Sequence, residues 1–405
     1  MTDLLRPRAV VVVAYGAISL LQGALEPLGD EHVVVVDNSS AAATRALVEG
    51  LGHTYLDAGA NLGFAGGVNV GLRHLQTAGE MPDVLLLNPD ARIDPDALDR
   101  LQTALLATDD LAAVAPSLVG PDGVPHLTWY PLPSPSQMWR FAARLPARHD
   151  QRDFLIGAAL LLRAEAINGV GLFDERYFLY GEEADWQRRA FELGWRVAQV
   201  GEAAAIHYGG GSAEDAAARI ARVTAGQDLY VRQWYGAAGS ASFRVGGWVA
   251  TVPRAASWPD ARHMSRCFRL GPRRVAPLPP FPRALLVLHL VEPGQVPRPW
   301  VDSQRAEGHQ VTVAEGRREA MGQLRSAIAW DVIHAHGDRA TMWATLTGPW
   351  HGARVVSSPS PTLRTSAARP WVRAVNRRVD LVLDDPTVVS YRAAFASGRR
   401  KRNIA

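Results

Sequence analysis

Two short apolar stretches, each ending in a carboxylate, decide the fold: Val34-Val-Val-Asp-Asn-Ser-Ser40 and Asp83-Val-Leu-Leu-Leu-Asn-Pro-Asp90. Continuous apolar runs of this length are typical of strands that are buried on both faces of a sheet. Residues 9–14 form a third such run, and segments of helical character separate the three. Repeated strand–helix units predict a mostly parallel α/β sheet covered on both sides. Ligands gather at the carboxyl ends of the strands in such sheets, which is where Asp37 and Asp90 lie.

The flanking segments continue this alternation. We predict helices over residues 20–28, 41–51 and 66–78, with a further helix that begins at Asp94-Pro95. Residues 112–119 predict another strand. The segment 121–150 is predicted to be a loop, because its first fifteen residues include five prolines.

Composition limits the class of protein. A chain of 405 residues with 47% apolar content buries a sizeable core, and we expect two or three domains. The single cysteine, Cys267, excludes a disulfide scaffold and a cysteine-based zinc cluster. The first residues do not have the pattern of a secretory signal, and no run approaches the ~20 apolar residues of a membrane helix. These features predict a cytoplasmic protein.

The charge is unevenly distributed along the chain. Residues 1–243 carry 18 basic and 29 acidic side chains, whereas residues 244–405 carry 25 and 11. The basic half is either an ordinary solvated surface or a face that contacts a phosphorylated acceptor or the anionic lipid headgroups at the inner side of a membrane. No stacking aromatics alternate with the arginines, which argues against a nucleic-acid partner.

Polar residues at the strand ends have a structural and a functional interpretation. Asp37 either caps the helix that follows or accepts from a nucleobase imide or a ribose hydroxyl. The glycine-rich stretch Asn61-Leu-Gly-Phe-Ala-Gly-Gly-Val-Asn69 precedes a helix, so its backbone N–H groups suit a phosphate or ribose. Asn88-Pro-Asp90 is a strand-ending turn, or part of a metal site that includes His207.

An acidic cluster opens a predicted helix in the stretch 153–211. Glu182, Glu183 and Asp185 meet the helix dipole favourably there. Three carboxylates so close also repel one another, which raises the pKa of one toward the range of a general base. His207 precedes a glycine-rich loop and offers an imidazole ligand for Mg²⁺ or Mn²⁺. A plain helix start and a polar strand end are the alternatives.

In their order, these motifs resemble family 2 glycosyltransferases with a GT-A fold, especially the rhamnosyltransferase-like branch, over residues 8–235. The matching strings are Val-Val-Asp37-Asn-Ser-Ser, Asn61-Leu-Gly-Phe-Ala-Gly-Gly-Val-Asn69-Val-Gly, Leu-Leu-Leu-Asn88-Pro-Asp90-Ala, Gly157-Ala-Ala-Leu-Leu-Leu-Arg163 and Gly-Leu-Phe173-Asp-Glu-Arg-Tyr-Phe-Leu-Tyr180-Gly-Glu-Glu-Ala-Asp.

The resemblance implies a site. Asp90 and His207 would hold Mg²⁺ or Mn²⁺, with Asn88 at the other acidic position of an Asp-x-Asp motif. Glu183 would be the catalytic base, preceded by Glu182. The predicted nucleotide contacts are Asp37, Asn61, Gly66, Gly67, Asn69, Asn88, Asp90 and Gly157.

The resemblance also implies a reaction. It predicts metal-dependent, inverting transfer of L-rhamnose from dTDP-rhamnose, with UDP-sugars as other donors, to a glycan or lipid-linked cell-envelope acceptor. Trp129, Tyr130 and Trp139 either flank this acceptor or pack as loop anchors. The sequence departs from the family's usual residues at Ala14-Tyr-Gly16, at Ser39-Ser-Ala-Ala-Ala-Thr44 and at Glu183. These departures leave a second hypothesis open, in which a degenerate transferase binds a nucleotide sugar or glycan as a scaffold. A dinucleotide-dependent oxidoreductase is disfavoured, because no Gly-x-Gly-x-x-Gly follows the first strand.

The second half predicts a different domain. We expect a GT-A domain over residues 1–236, a linker with packed pieces over 237–282, an incomplete Rossmann-like domain over 283–398 and a basic tail over 399–405. Strands are predicted over residues 283–290, 310–314, 330–336, 353–356 and 380–383. Asp331-Val-Ile-His-Ala-His336 resembles the N-terminal half of family 4, GT-B glycosyltransferases, whose donor-binding half has no counterpart here. His334 and His336 would line an acceptor cleft or be structural.

Overall fold

The chain forms two compact units. The computed structural model describes residues 6–209, 215–272, 286–293, 297–306, 309–325, 328, 330–337, 340–341, 343–344, 353–358 and 381–382. Unit 1 comprises Met1–Leu132, Ala147–Asp215 and Pro279–Phe281, and unit 2 comprises Pro133–Pro146, Ala216–Leu278 and Pro282–Ala405. Within the described ranges, no helix is both long and apolar enough to cross a membrane.

Unit 1 consists of a nine-stranded sheet, a two-stranded ribbon and helices on both faces of the large sheet. The strands of the large sheet are β1 Arg8–Ala14, β2 Val33–Asp37, β3 Thr54–Asp57, β4 Asp83–Leu87, β5 Ala91–Ile93, β6 Leu111–Val119, β7 Pro125–His126, β10 Ala159–Leu162 and β11 Arg196–His207. The ribbon pairs β8 Trp129–Tyr130 with β9 Phe154–Leu155. The helices are α1 Ile18–Leu25 with a 3-10 turn Glu26–Leu28, α2 Ala42–Gly50, α3 Gly63–Ala78, α4 Pro95–Leu106, α6 Ala164–Val170 and α7 Glu182–Glu192.

The large sheet contains both parallel and antiparallel strand pairs. Its strand order is β3-β2-β1-β4-β10-β6-β11-β5, with β7 paired to β6. The β3-β2-β1-β4 portion is parallel, whereas β10 runs antiparallel to both β4 and β6. The carboxyl ends of β1, β2 and β4 therefore meet along one edge, where the candidate site lies.

Strand β1 lies at the centre of the parallel portion and is buried on both faces. Val10 and Val12 pack into the core beneath helices α1 and α4, while Val11 and Val13 pack into the core beneath α3. Because successive side chains of a strand point to opposite faces, burial of both faces requires an uninterrupted apolar run. The valine-rich stretch is thus explained by its position in the sheet.

Helix α3 lies unusually close to β1. A Cβ placed on Gly67 would lie 2.5 Å from a methyl group of Val13, and one on Gly71 would lie 2.7 Å from a methyl group of Val11. Glycines four residues apart share one face of a helix, and alternate strand residues share one face of a sheet. The glycines therefore allow close helix–strand packing, which fixes where α3 begins beside the site.

Unit 2 begins with a helix that the sequence did not predict. Helix α5 spans Pro135–Ala142, and the Ser134 hydroxyl accepts from the backbone N–H of Gln137 at 3.2 Å. Proline at the first helical position is compatible with a helix, because the N–H that it lacks would have no intrahelical partner. The prediction of a loop throughout 121–150 was therefore wrong for this segment.

Helices also occupy much of the predicted linker. Helix α8 spans Ala216–Thr251 with a break at Gly236, where φ is 69°, and a 3-10 turn then leads to α9 at Pro259–Leu270. A Cβ on Gly247 would lie 2.5 Å from the ring of Phe268, so α8 and α9 pack closely. The sequence places a boundary at residue 236, whereas the contacts group the described residues from 216 onward with unit 2.

A five-stranded parallel sheet completes the described part of unit 2. Its order is β13-β12-β14-β15-β16, and all five predicted strands are present. The predicted basic tail 399–405 lies outside the described residues. The elements are β12 Leu286–Val291, α10 Arg298–Ala306, β13 Gln310–Glu315, α11 Gly316–Arg325, β14 Val332–His336, β15 Arg354–Ser358 and β16 Leu381–Val382.

Candidate active site

A cleft of about 560 Å³ opens at the carboxyl ends of β1, β2 and β3. Tyr15 is exposed at its rim, with 61% of the residue accessible, and its ring offers a flat apolar surface on which a base can stack. Polar side chains and glycines provide hydrogen-bonding groups around it. The cleft is lined by Tyr15, Gly16, Asn38, Ser39, Ser40, Gly59, Ala60 and Asn61.

Asp37 lies behind this cleft and is fully buried. One carboxylate oxygen accepts from the N–H and hydroxyl of Ser39 at 2.8 and 2.6 Å, and the other accepts from Ala41 N–H at 2.8 Å and Tyr55 O–H at 3.1 Å. The structure thus favours the capping interpretation, since Ala41 is the residue that precedes helix α2. The predicted nucleobase contact would require a base to replace one of these four donors.

Asn61 lines the cleft, as the nucleotide prediction requires, but the glycines after it do not. The side-chain oxygen of Asn61 accepts from Gly63 N–H at 3.0 Å and so shapes the turn into α3. Gly66 and Gly67 lie inside α3 and are buried. A Cβ on Gly66 would lie 2.8 Å from Leu62, so packing accounts for both glycines without a nucleotide.

Asn69 holds a loop of unit 1. Its amide nitrogen donates to the carbonyl of Phe173 and to the carboxylate of Glu175, both at 2.9 Å, and its oxygen accepts from Phe173 N–H at 2.9 Å. Both amide hydrogens are used and the side chain is buried. Asn69 therefore has a structural role in the fold, and its nucleotide contact stays a prediction.

Asp90 and His207 are brought together, as the sequence predicts for a metal site. Strand β5 pairs with β11 so that Ala91 lies opposite His207, which places Asp90 at the same end of the ladder. The Nε2 atom of His207 lies 3.5 Å from Oδ1 of Asp90, and both side chains are partly exposed. A carboxylate oxygen and an imidazole nitrogen at this separation fit a shared divalent ion.

The acidic cluster at the start of α7 separates into two kinds of carboxylate. Asp185 is buried and forms an ion pair with Arg189, whose Nε donates to it at 3.0 Å. Glu183 is half-buried, and its carboxylate accepts from the backbone N–H groups of Gly181, at 3.2 Å, and Gly157. Burial raises the pKa of Glu183, a direction that suits a general base.

Glu182 is more deeply buried than Glu183. Burial, followed by the neighbouring Glu183 carboxylate, raises its pKa well above the ordinary value. Its Oε2 atom has no hydrogen-bond partner among the described residues. Burial therefore favours the protonated form of Glu182, whereas Glu183 is the partly exposed member of the pair.

Short contacts join the base position to both the cleft and the metal pair. The carbonyl of Ala158, next to Gly157, accepts from Asn88 N–H at 2.9 Å, two residues before Asp90. On the other side, Phe64 N–H donates to the carbonyl of Phe178 at 2.8 Å, ahead of the turn that carries Glu183. Asn38 donates to the carbonyl of Gly63 at 2.9 Å, which completes the connection to the cleft.

His126 is a neighbour of His207 that the sequence did not reveal. The two rings lie edge to face, with centroids 6.1 Å apart. His126 reaches this place because β7 folds back on β6, and no strand was predicted there. Of the predicted aromatic residues, Trp129 donates to Gln199 at 2.5 Å, Tyr130 is exposed, and Trp139 belongs to unit 2 and donates to Ser242 at 3.0 Å.

Comparison with known proteins identifies the family. The model for "Glycosyl transferase family 2" matches residues 9–171. The N-acetylglucosaminyl-diphospho-decaprenol L-rhamnosyltransferase of Mycobacterium tuberculosis is 30% identical over 239 residues, which cover 51% of this chain and 77% of that protein. The chain belongs to glycosyl transferase family 2. The GT-A fold expected for the N-terminal part of the chain is thereby confirmed.

A second curated relative and a solved structure are also similar to parts of this chain. The Low-salt glycan biosynthesis hexosyltransferase Agl10 of Haloferax volcanii is 29% identical over 185 residues, 44% of this chain, and the match spans 59% of that protein. A mannosyltransferase from Pyrobaculum calidifontis, solved with GDP-Man and Mn²⁺, is 18% identical and covers 65% of this chain and 80% of its own. The TM-score of this comparison is 0.42.

Proposed function

We propose that this chain transfers a sugar from a nucleoside diphosphate to a hydroxyl group of a glycan or a lipid-linked cell-envelope acceptor. The observation that carries the proposal is the run of contacts from the cleft at Asn38, through the turn before Glu183, to Asn88 and the Asp90–His207 pair. A nucleotide pocket, a base and a metal pair on one sheet edge are the parts that such a transfer needs.

Glu183 is proposed as the base of a single inverting displacement. The N–H groups of Gly157 and Gly181 orient its carboxylate, and partial burial keeps bulk water from stabilising its charge. In that position it accepts the proton of the acceptor hydroxyl as the oxygen attacks C1 of the sugar. Asp90 and His207 would hold Mg²⁺ or Mn²⁺, which when bound neutralises the leaving diphosphate.

The sugar is proposed from the relatives. One relative is named as an L-rhamnosyltransferase and another as a hexosyltransferase, and a third, from Mycolicibacterium smegmatis, is a galactofuranosyltransferase. We take dTDP-L-rhamnose as the first donor to test, followed by UDP-sugars. The predicted contact of the arginine-rich half with a membrane surface remains a prediction.

A nucleotide-release assay tests the proposal. The full chain is incubated with a panel of dTDP- and UDP-sugars with Mn²⁺ or Mg²⁺, and release of the diphosphate is measured without and with a hydroxyl acceptor. Glu183→Gln should lower the rate by about 10²–10⁴-fold, and Asp90→Ala should abolish metal dependence. The matched controls are Glu192→Gln, at the far end of α7, and Asp94→Ala, on the exposed start of α4, which should both retain activity.

The outcomes separate the two candidate functions. Metal-dependent release that both site variants lose supports the transferase. Nucleotide-sugar binding by calorimetry without release, across the whole panel and with acceptors present, favours the scaffold hypothesis. Absence of both binding and release would overturn the proposal.

A further inference from the structure

Three histidines of unit 2 lie together on one face of its parallel sheet. His289 is on β12, and His334 and His336 are alternate residues of the neighbouring strand β14, with His289 in register with His334. Alternate residues of a strand share a face, so the three rings converge. Helix α10 covers them with Trp300, whose ring centroid lies 5.0 Å from that of His334.

The rings are close enough to share one ligand. One nitrogen from each of His289, His334 and His336 can be chosen so that the three lie within 4.8 Å of one another. The Nδ1 atom of His289 and the Nε2 atom of His336 are 2.8 Å apart. All three side chains are buried, His336 being the most accessible at 8%.

Further side chains fix two of the rings. The carbonyl oxygen of Gln304 lies 2.7 Å from Nε2 of His289, which assigns the proton to Nε2 and leaves the Nδ1 lone pair directed at His336. The Ser358 hydroxyl lies 2.9 Å from Nε2 of His334. A carbonyl or hydroxyl on the outer nitrogen is the usual companion of a metal-bound imidazole, because it holds the ring orientation.

The chemistry of the cluster also suits a cation. A neutral imidazole offers one nitrogen lone pair to a metal ion. Two nitrogen ligands of a tetrahedral Zn²⁺ stand about 3.3 Å apart, given Zn–N bonds of about 2.0–2.1 Å. To admit the ion, the 2.8 Å pair must separate slightly, and His336 must carry its proton on Nδ1 rather than on Nε2.

We propose that His289, His334 and His336 bind one Zn²⁺ ion in unit 2. Three imidazole nitrogens form a common zinc ligand set with a fourth position for water, whereas the Asp90–His207 pair of unit 1 suits the harder Mg²⁺ or Mn²⁺. The ion would join β12 to β14 at the point where the strand order reverses, the place at which open parallel sheets bind ligands.

The test uses the full chain with Asp90→Ala and His207→Ala, so that the proposed ion of unit 1 does not contribute. After removal of metal with a chelator, the protein is reloaded with Zn²⁺, dialysed and analysed for metal. We expect about one equivalent of zinc. Adding His336→Gln should reduce it at least about tenfold, whereas His263→Gln, an exposed histidine of α9, should leave it unchanged.

A second measurement does not depend on a substitution in the cluster. Co²⁺ loaded into the same double variant should give the strong visible absorption of a four-coordinate ion rather than the weak bands of a six-coordinate one. Background metal content in a folded double variant, or full zinc retention after His336→Gln, would overturn the proposal. In that case the three rings form a hydrogen-bonded cluster only.

Discussion

Replacing Gly67 with alanine tests whether this glycine serves packing or nucleotide binding. The added Cβ would lie 2.5 Å from one methyl carbon of Val13 and 3.0 Å from the other, whereas ordinary contacts begin at 3.4 Å. Strand β1 is hydrogen-bonded on both sides, to β2 and to β4, and does not shift easily. Gly67→Ala should therefore destabilise unit 1.

The magnitude follows from two opposing contributions. Overpacking by one carbon in a tight core costs about 1–3 kcal/mol, and the overlap with two methyl groups places this case near the upper end. Alanine in a helix interior gains about 1 kcal/mol over glycine. The net cost is about 2 kcal/mol, and it should appear without a loss of nucleotide affinity in the folded protein.

Gly23→Ala is the matched control, because Gly23 lies in α1 of the same unit and has no atom within 4 Å of its would-be Cβ. It should gain about 0.5–1 kcal/mol. Urea unfolding of both variants therefore measures a difference of about 3 kcal/mol. Adding Val13→Ala should relieve the clash, with a favourable coupling of about 1–3 kcal/mol in a double-mutant cycle.

Equal stabilities for the two glycine variants would refute the packing argument. If Gly67→Ala instead leaves stability unchanged and weakens nucleotide binding, the role predicted from the sequence is restored. The cycle with Val13 distinguishes a local clash from a general loss of fold, since only a clash is relieved by the second substitution.

Three further predictions concern unit 1. Asn69→Ala leaves the N–H and C=O of Phe173 unpaired and should lower the free energy of unfolding in urea by about 2–5 kcal/mol. Arg73→Ala is the control, because it removes only an exposed ion pair and should lower that free energy by under about 1 kcal/mol. Glu182→Gln should stabilise the chain by about 1–3 kcal/mol at about pH 7.5 and have little effect near about pH 4. Gln stabilises at the higher pH because burial raises the pKa of Glu182, so the wild-type chain loses stability as the pH rises. Equal stabilisation by Glu182→Gln at both pH values would contradict this explanation. On the acid side, kcat/KM should fall at a pH above the ordinary glutamate pKa, because burial raises the pKa of Glu183. A fall in kcat/KM at the ordinary glutamate pKa would exclude this residue as the base.

Much of the fold was predictable because its signals are local. The valine and leucine runs of β1, β2 and β4 are uninterrupted because both faces of these strands are covered, and the sequence shows this directly. The antiparallel strand β10 between β4 and β6 was not predicted. Its position depends on pairing between segments that are distant in the chain, which leaves no periodic signal.

The predictions for the site depended on the same distinction. Asp90 and His207 were predicted as partners, and the structure places them 3.5 Å apart because each ends or follows a strand at one sheet edge. Asn69 was assigned to the nucleotide because it sits in a glycine-rich motif. Its hydrogen-bond partner in the fold, Phe173, lies 104 residues further along the chain, so local sequence could not reveal it.

In unit 2 the proline-rich segment misled the prediction. Prolines 131 and 133 precede helix α5 and Pro135 occupies its first position, where proline favours rather than breaks a helix. Ser134 provides the cap. The Ser134–Pro135 pair is thus a local signal for a helix start, although prolines are frequent throughout this segment.

The irregularity in β11 constrains how this family 2 domain can vary in length. Val200 of β11 pairs with Pro116 of β6, and Ala204 pairs with the next residue of β6, Ser117. The three residues of β11 between them therefore have no partner on β6. His207 lies just beyond, and a one-residue change in this bulge would turn its imidazole to the opposite face of the sheet. Insertions and deletions compatible with the site should therefore be confined to other loops, and homologues with the same histidine should preserve the number of residues between Val200 and His207.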